Sequence, residues 1–182
     1  MKTLLIYLSL AASLIAGEVP EVVPAAAPNG AFHLSLVKVG ETNTQRLEIK
    51  DKDEKVIFSS PPQIDGHDIS QFFPEHLRWS PDSKLLAISA GHAKFFKTYL
   101  FAWDGTGFQQ VRLPEIAAGM DNPWIFPVGW KEDHILNLQI SGPHAGKAED
   151  RGYEGRAVVQ VDLKTKACKK LSEDVEHYDS DE

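Results

Sequence analysis

The sequence is poor in cysteine. It has one cysteine, Cys168, among 182 residues, so no disulfide can form within the chain. Lys and Arg number 19 against 26 Asp and Glu, and the net charge of −7 at pH 7 argues against nucleic acid or anionic lipid as a partner. No nucleophile elbow, nucleotide loop or zinc-site spacing occurs. We predict no cofactor, no metal site and no catalytic residue, and whether the chain is an enzyme stays open.

Long apolar runs are confined to the N-terminus. Residues 1–17 combine one lysine with an apolar run and end in the small residues Ala16 and Gly17. The run is shorter than the roughly 20 apolar residues that a spanning helix needs, so it predicts a secretory signal peptide cleaved near Ala16 or Gly17. We expect a secreted or periplasmic protein without a transmembrane segment in its mature form. An uncleaved signal that tethers the chain to a membrane is the alternative.

Two terminal segments lack the patterns of packed structure. EVPEVVPAAAP, residues 18–28, is rich in Pro and Ala and predicts an extended arm or linker. SEDVEHYDSDE, residues 172–182, has six acidic residues out of eleven and predicts a disordered acidic tail. Residues 28–171 then form a single domain of ordinary size. Within it, Cys168 lies in KTKACKKL, where we predict a half-buried strand thiol.

A turn followed by an alternating strand occurs three times in this domain. RWSPDSKLLAIS, residues 78–89, places a Trp and a Pro-Asp-Ser turn before an apolar alternation, and a second Trp-led copy follows 51 residues later. A fainter copy without the Trp begins at Pro28. Later in each unit an extended run ends in an aspartate, namely Asp51, Asp104 or Asp162. Repeats of this length are typical of arrays and propellers.

The alternation explains why the unit is repeated. In each first strand every second residue is apolar and lies on one face, which a lone three-stranded sheet cannot bury but stacked sheets can. The sequence therefore predicts an all-β fold of three propeller-blade-like antiparallel units, at about residues 28–60, 76–113 and 128–171.

WSPDSKLLAIS followed by TYLFAWDGTGFQQVRL resembles the repeat of WD-type and TolB-type β-propellers. The Ser-Pro-Asp turn opens one strand and the Trp103-Asp104 dipeptide closes a later one. The resemblance covers residues 76–113 well, 128–171 less well and 28–60 weakly, and it concerns architecture alone. Propellers close with four to eight blades. Three units therefore leave an incomplete propeller, a ring completed by a homodimer, or an open or collapsed array of sheets.

Two long loops occupy equivalent places in the second and third units. Both the 89–99 loop and the 141–156 loop carry a His-Ala dipeptide followed by Lys, and equivalent loops emerge on the same rim. The aromatic segment DNPWIFPVGW, residues 121–130, enters the third unit and offers a platform if its rings are exposed. The candidate binding residues are His92, Lys94, Trp124, His144, Lys147, Arg151 and Tyr153.

These loops indicate a binding module that recognises a protein or an envelope polymer through its rim. The step from architecture to function is analogy, because such repeats serve as scaffolds and as enzymes. The alternative is an exported hydrolase or metal-dependent enzyme that uses His92, His144, Glu149 and Asp150 on the same rim.

Overall fold

The computed structural model describes residues 26–39, 44–61, 63–64, 67–68, 71–92, 95–120, 122–143 and 151–179. The signal segment 1–17 and residues 18–25 of the predicted arm lie outside these ranges. The described residues form an all-β fold of three antiparallel sheets and one short hairpin, as predicted. No helix in this part of the chain is long and apolar enough to cross a membrane.

Each large sheet is a meander, and we call the three sheets blades 1, 2 and 3. The chain enters each of blades 2 and 3 at one edge strand and leaves at the other. Blade 1 comprises β1 (Phe32–Lys38), β2 (Gln45–Asp51) and β3 (Val56–Ser59). The short hairpin comprises β4 (Gln63–Ile64) and β5 (His67–Asp68). Blade 2 comprises β6 (Gln71–Trp79), β7 (Leu85–His92), β8 (Phe95–Trp103) and β9 (Phe108–Val111). Blade 3 comprises β10 (Trp124–Glu132), β11 (Ile135–Pro143), β12 (Arg151–Asp162) and β13 (Ala167–Asp179).

Blade 2 lies between the other two blades, and its sides carry two separate apolar clusters. In β7, Leu85 and Ala87 belong to the cluster shared with blade 3, whereas Leu86 and Ile88 belong to the cluster shared with blade 1. The alternation in LLAIS predicted one buried face. Every residue from 85 to 91 is instead buried, because a sheet covered on both sides buries both faces of its central strands.

The turns that open blades 1 and 2 are built alike. The amide of Gly30 donates to the carbonyl of Ala27 at 2.8 Å, and the amide of Ser83 donates to the carbonyl of Ser80 at 2.8 Å. Gly30 and Ser83 both have a positive φ, of 69° and 63°. The faint first copy of the repeat is therefore a true structural equivalent of the second, although its sequence lacks the Trp.

The aspartates that end the extended runs cap the tight turns that follow. In each turn one carboxylate oxygen accepts two backbone N–H bonds, which is the hydrogen bonding of an Asx turn. The donors are Asp53 and Lys55 for Asp51, Thr106 and Gly107 for Asp104, and Lys164 and Thr165 for Asp162. The backbone bond from Thr106, and then the Thr106 hydroxyl, hold the pKa of Asp104 well below its usual range, and the Lys164 amide lowers that of Asp162.

The predicted disordered tail at 172–182 is corrected by the structure. Residues 172–179 are the second half of β13, which pairs antiparallel with β12 along its whole length. A bulge between Val158 and Val159 leaves Leu171 as the extra residue. Val175 packs on the core between blades 2 and 3, so this acidic strand has an apolar attachment. Residues 180–182 lie outside the described ranges.

Candidate functional site

The two predicted rim loops begin and end at the same end of blades 2 and 3. Both connect the second strand of a blade to its third, and the linker of residues 112–123 crosses from blade 2 to blade 3 at this end as well. We call this end the rim. His92 ends β7 and Arg151 begins β12, so the backbone of both lies at the rim. Lys94, His144 and Lys147 lie outside the described residues, so their convergence stays a prediction.

Five rings from three strands meet near the rim, and we call them the rim aromatic cluster: Phe73, His76, Phe96, Trp124 and Phe126. The ring centroids of Phe73 and Phe96 are 4.9 Å apart, and those of Phe96 and Trp124 are 5.6 Å apart in an edge-on arrangement. His76 stacks on Phe126 at 4.5 Å. All five side chains are half-buried, so the cluster joins β10 to blade 2 and also presents ring surface to solvent.

The surroundings of His76 favour the neutral form of its imidazole. Desolvation by the surrounding residues lowers its pKa, and the positive charge of Arg78 lowers it further, while Glu75 acts in the opposite direction. A neutral ring stacks on Phe126 without the cost of burying a charge. Sequence reasoning gave no role to His76, and only the packing of β6 against β10 of the neighbouring blade shows where its ring lies.

Blade 3 packs one side of its sheet against blade 2. No other blade of the described residues covers the opposite side, which we call the open face. Its residues form rows across all four strands, because directly paired residues on adjacent strands project from the same side of a sheet. One row runs through Phe126, Gln139, Arg156 and Asp174. The next row towards the rim runs through Trp124, Ser141, Glu154 and Glu176. At β10 these rows begin with rings that pack on blade 2 in the rim aromatic cluster. Across β11 to β13 the open face carries amide and hydroxyl groups and then charged groups.

A shallow hollow of about 810 Å³ lies on the open face. It is lined by Gln139, Arg156, Asp174 and the opposed carboxylates Glu154 and Glu176. These five side chains are exposed, and within the described part of the chain none forms an ion pair or side-chain hydrogen bond. Like charges directly opposed in a sheet are destabilising. The hollow thus holds unused hydrogen-bonding capacity and excess negative charge.

The side chains of two predicted binding residues, Trp124 and Tyr153, lie within the described part of the structure. Trp124 is half-buried in the rim aromatic cluster and begins one row of the open face. Tyr153 has an exposed fraction of 0 % and packs in the core between blades 2 and 3. The structure therefore corrects the prediction of a surface binding residue. Successive residues of a strand point to opposite sides of the sheet, so Tyr153 points to the core while its neighbours Gly152 and Glu154 lie on the other side. Its ring lies directly over Gly142, the paired residue of β11.

Sequence reasoning missed the open face because it placed the second half of β13, from residue 172, in a tail. The signal that identifies the face is the alternation in β12, where Glu154, Arg156 and Val158 interleave with buried residues. No group of three or more His, Cys, Asp or Glu side chains among the described residues is placed to hold a metal ion.

No protein-family model matches the chain, and no curated protein sequence matches it. Among solved structures, the chain is similar to the isopeptidase AtxE2 in its apo form, at 15% identity and a TM-score of 0.42 over 81% of this chain and 28% of that one. It is also similar to TolB from Acinetobacter baumannii, at 12% identity and a TM-score of 0.36 over 83% of this chain and 43% of that one. The matched region is less than half of either structure's length.

Proposed function

We propose that this protein is an exported binding module that recognises a partner protein or an envelope polymer with the open face of blade 3 and the adjoining rim. The observation that carries the proposal is the open face itself, where exposed amide, guanidinium and carboxylate groups without side-chain partners among the described residues line a hollow, and the half-buried rings of Trp124 and Phe126 begin the rows that cross it. Binding sites on proteins combine such groups, because rings supply contact area and polar groups fix orientation.

The proposed surface adjoins both predicted loop segments. Phe96, in β8, lies within the predicted 89–99 segment, and Glu154 and Arg156, in β12, lie within the predicted 141–156 segment, so these parts of the two segments are strand. Export is part of the proposal because of the signal-peptide pattern at residues 1–17, and it places the partner outside the cytoplasm.

A photo-cross-linking residue at position 139 tests the proposal. With Gln139 replaced by benzoyl-phenylalanine in cells that export the chain, irradiation is expected to yield adducts with an envelope protein or polymer. The matched control places the same residue at Lys52, an exposed turn position at the end of blade 1 away from the rim. Arg156→Ala should reduce the adducts from position 139. Equal adducts at 139 and 52, or none at either in folded protein, would overturn the proposal.

The hydrolase alternative is tested on the purified chain. Turnover of simple ester, phosphate, glycoside or peptide substrates that is lost in both His92→Ala and His144→Ala would replace the binding proposal with an enzyme. Turnover unchanged in both variants would indicate a contaminant.

A further inference from the structure

The outer edge of blade 3 differs from the edges of the other blades. Among the described strands, the last strand of each blade pairs on one side only, and in blades 1 and 2 that strand has four residues. In blade 3 it is β13, with 13 residues. Every second residue of an edge strand points its N–H and C=O away from the sheet, and proteins usually keep such edges short. A long edge is a template for an added strand.

The negative charge of this edge favours a basic partner strand over a second copy of the chain. Between Ser172 and Glu176 the strand carries the exposed carboxylates of Asp174 and Glu176 and no Lys or Arg. The carboxylate of Glu173 is already used, in an ion pair with Lys170 and a hydrogen bond from the Ala117 amide. Glu176 is also opposed by Glu154 of β12. A second copy of the chain that paired through β13 would bring two acidic strands together, and like charges across a strand pair are destabilising. An extended segment with basic side chains would instead be attracted.

We propose that the β13 edge, over Ser172–Glu176, accepts an extended lysine- or arginine-rich segment of a partner protein as a fifth strand of blade 3. This inference rests on the proposed binding function and specifies its protein-partner form. The bulge at Leu171 ends the regular edge on one side. Leu171 and Tyr178, with exposed fractions of 46 % and 47 %, flank the segment and offer apolar contact at its two ends.

The probe is a fluorescent octapeptide of alternating lysine and valine, titrated with the purified exported chain at low ionic strength and followed by anisotropy. Saturable binding is expected. The double variant Asp174→Asn, Glu176→Gln should weaken it by about three- to tenfold, as expected for two exposed charge pairs. The matched control, Glu132→Gln, Asp133→Asn, removes two exposed carboxylates at the end of blade 3 away from the rim and should leave binding unchanged.

A second peptide separates strand addition from charge attraction. Methylation of alternate backbone nitrogens removes the N–H groups of one edge and keeps every charge, so it should abolish binding. Equal binding of the methylated peptide, or of a glutamate–valine peptide, would overturn the inference. So would light scattering that shows dimers dispersed by the Asp174→Asn, Glu176→Gln variant, because a second copy would then occupy the edge.

The peptide titration and the cross-linking at position 139 together distinguish failure of the edge proposal from failure of the proposed function. If the lysine–valine peptide does not bind while position 139 still gives adducts, the edge proposal is wrong and the open-face function stands. If position 139 also gives none, both are wrong.

Discussion

The backbone amide of Asn29 donates a hydrogen bond of 3.0 Å to the side-chain oxygen of Ser83. This bond joins the opening turn of blade 1 to that of blade 2, across 54 positions of sequence, and Ser83 is fully buried. Ser83→Ala should lower the free energy of unfolding by about 1 kcal/mol, because it leaves a partly buried N–H without its acceptor. Urea unfolding measures the change. Ser59→Ala, at an exposed strand position, is the control and should be neutral.

The two repeat tryptophans, Trp79 and Trp130, are equivalent in sequence and differ in hydrogen bonding. The indole N–H of Trp130 donates to the carbonyl of Arg78 at 2.9 Å, and Arg78 in turn donates from Nε to the carbonyl of Val128 at 2.8 Å. The indole N–H of Trp79 is buried without an acceptor. Trp130→Phe should therefore cost about 1 kcal/mol more of unfolding free energy than Trp79→Phe, because only the first removes a formed hydrogen bond. Equal costs in urea unfolding would contradict the assignment.

Asp104 should make the stability of the protein depend on pH. Its folded-state pKa is lowered, so the ionised carboxylate stabilises the fold at a pH above its unfolded value of about 3.9. That contribution is lost as the pH falls through the folded-state pKa. Asp104→Asn keeps an acceptor for the turn and removes the charge. The variant should be less stable than the parent at pH 7, with a smaller difference at pH 3.

Asp133→Asn is the control for this experiment, since Asp133 is exposed and has no side-chain partner among the described residues. Urea midpoints at the two pH values provide the measurement. A stability difference for Asp104→Asn that is the same at pH 7 and pH 3 would show that the charge is not the cause.

The three blades could be predicted because their signals are local. The turn at Gly30 and the turn at Ser83 form by bonds within a few residues, so the same short pattern produces the same geometry. The second half of β13 could not be predicted in this way. Its acidic composition is typical of a disordered tail, and its strand conformation depends on pairing with β12 and on Val175 reaching the core.

The candidate site was predictable in part. The equivalence of the two rim loops and the aromatic segment at Trp124 followed from the repeat, and both lie at the rim. To predict the open face, the register of all four strands must be known, because a shift of one residue in any strand pair moves the side chains of that strand to the other side of the sheet. Tyr153 was predicted as a binding residue of the 141–156 loop, whereas it is a buried residue of β12. It lies one position from Glu154, which is on the open face.

Gly142 should not tolerate a side chain, because the ring of Tyr153 lies over it. A Cβ at position 142 would come within 2.4 Å of the Tyr153 hydroxyl oxygen, and the ring is fully buried. Gly142→Ala should lower the free energy of unfolding by about 1–3 kcal/mol, which is typical of overpacking. Gly129→Ala is the matched control, since nothing lies within 4 Å of a Cβ at that position of β10. Equal stability of the two variants would contradict the packing of Tyr153.

Cys168 should react slowly with thiol reagents. It lies in β13 against the core between blades 2 and 3, and burial raises its pKa to about 11 despite the lysines on either side. Since the thiolate is the reactive form, the rate of modification at pH 8 should be far below that of a free cysteine. The rate should rise about tenfold per pH unit up to pH 10, and unfolding in urea should abolish the protection. A rate that levels off between pH 8 and 9 in the folded protein would show that the neighbouring lysines, and not burial, control this thiol.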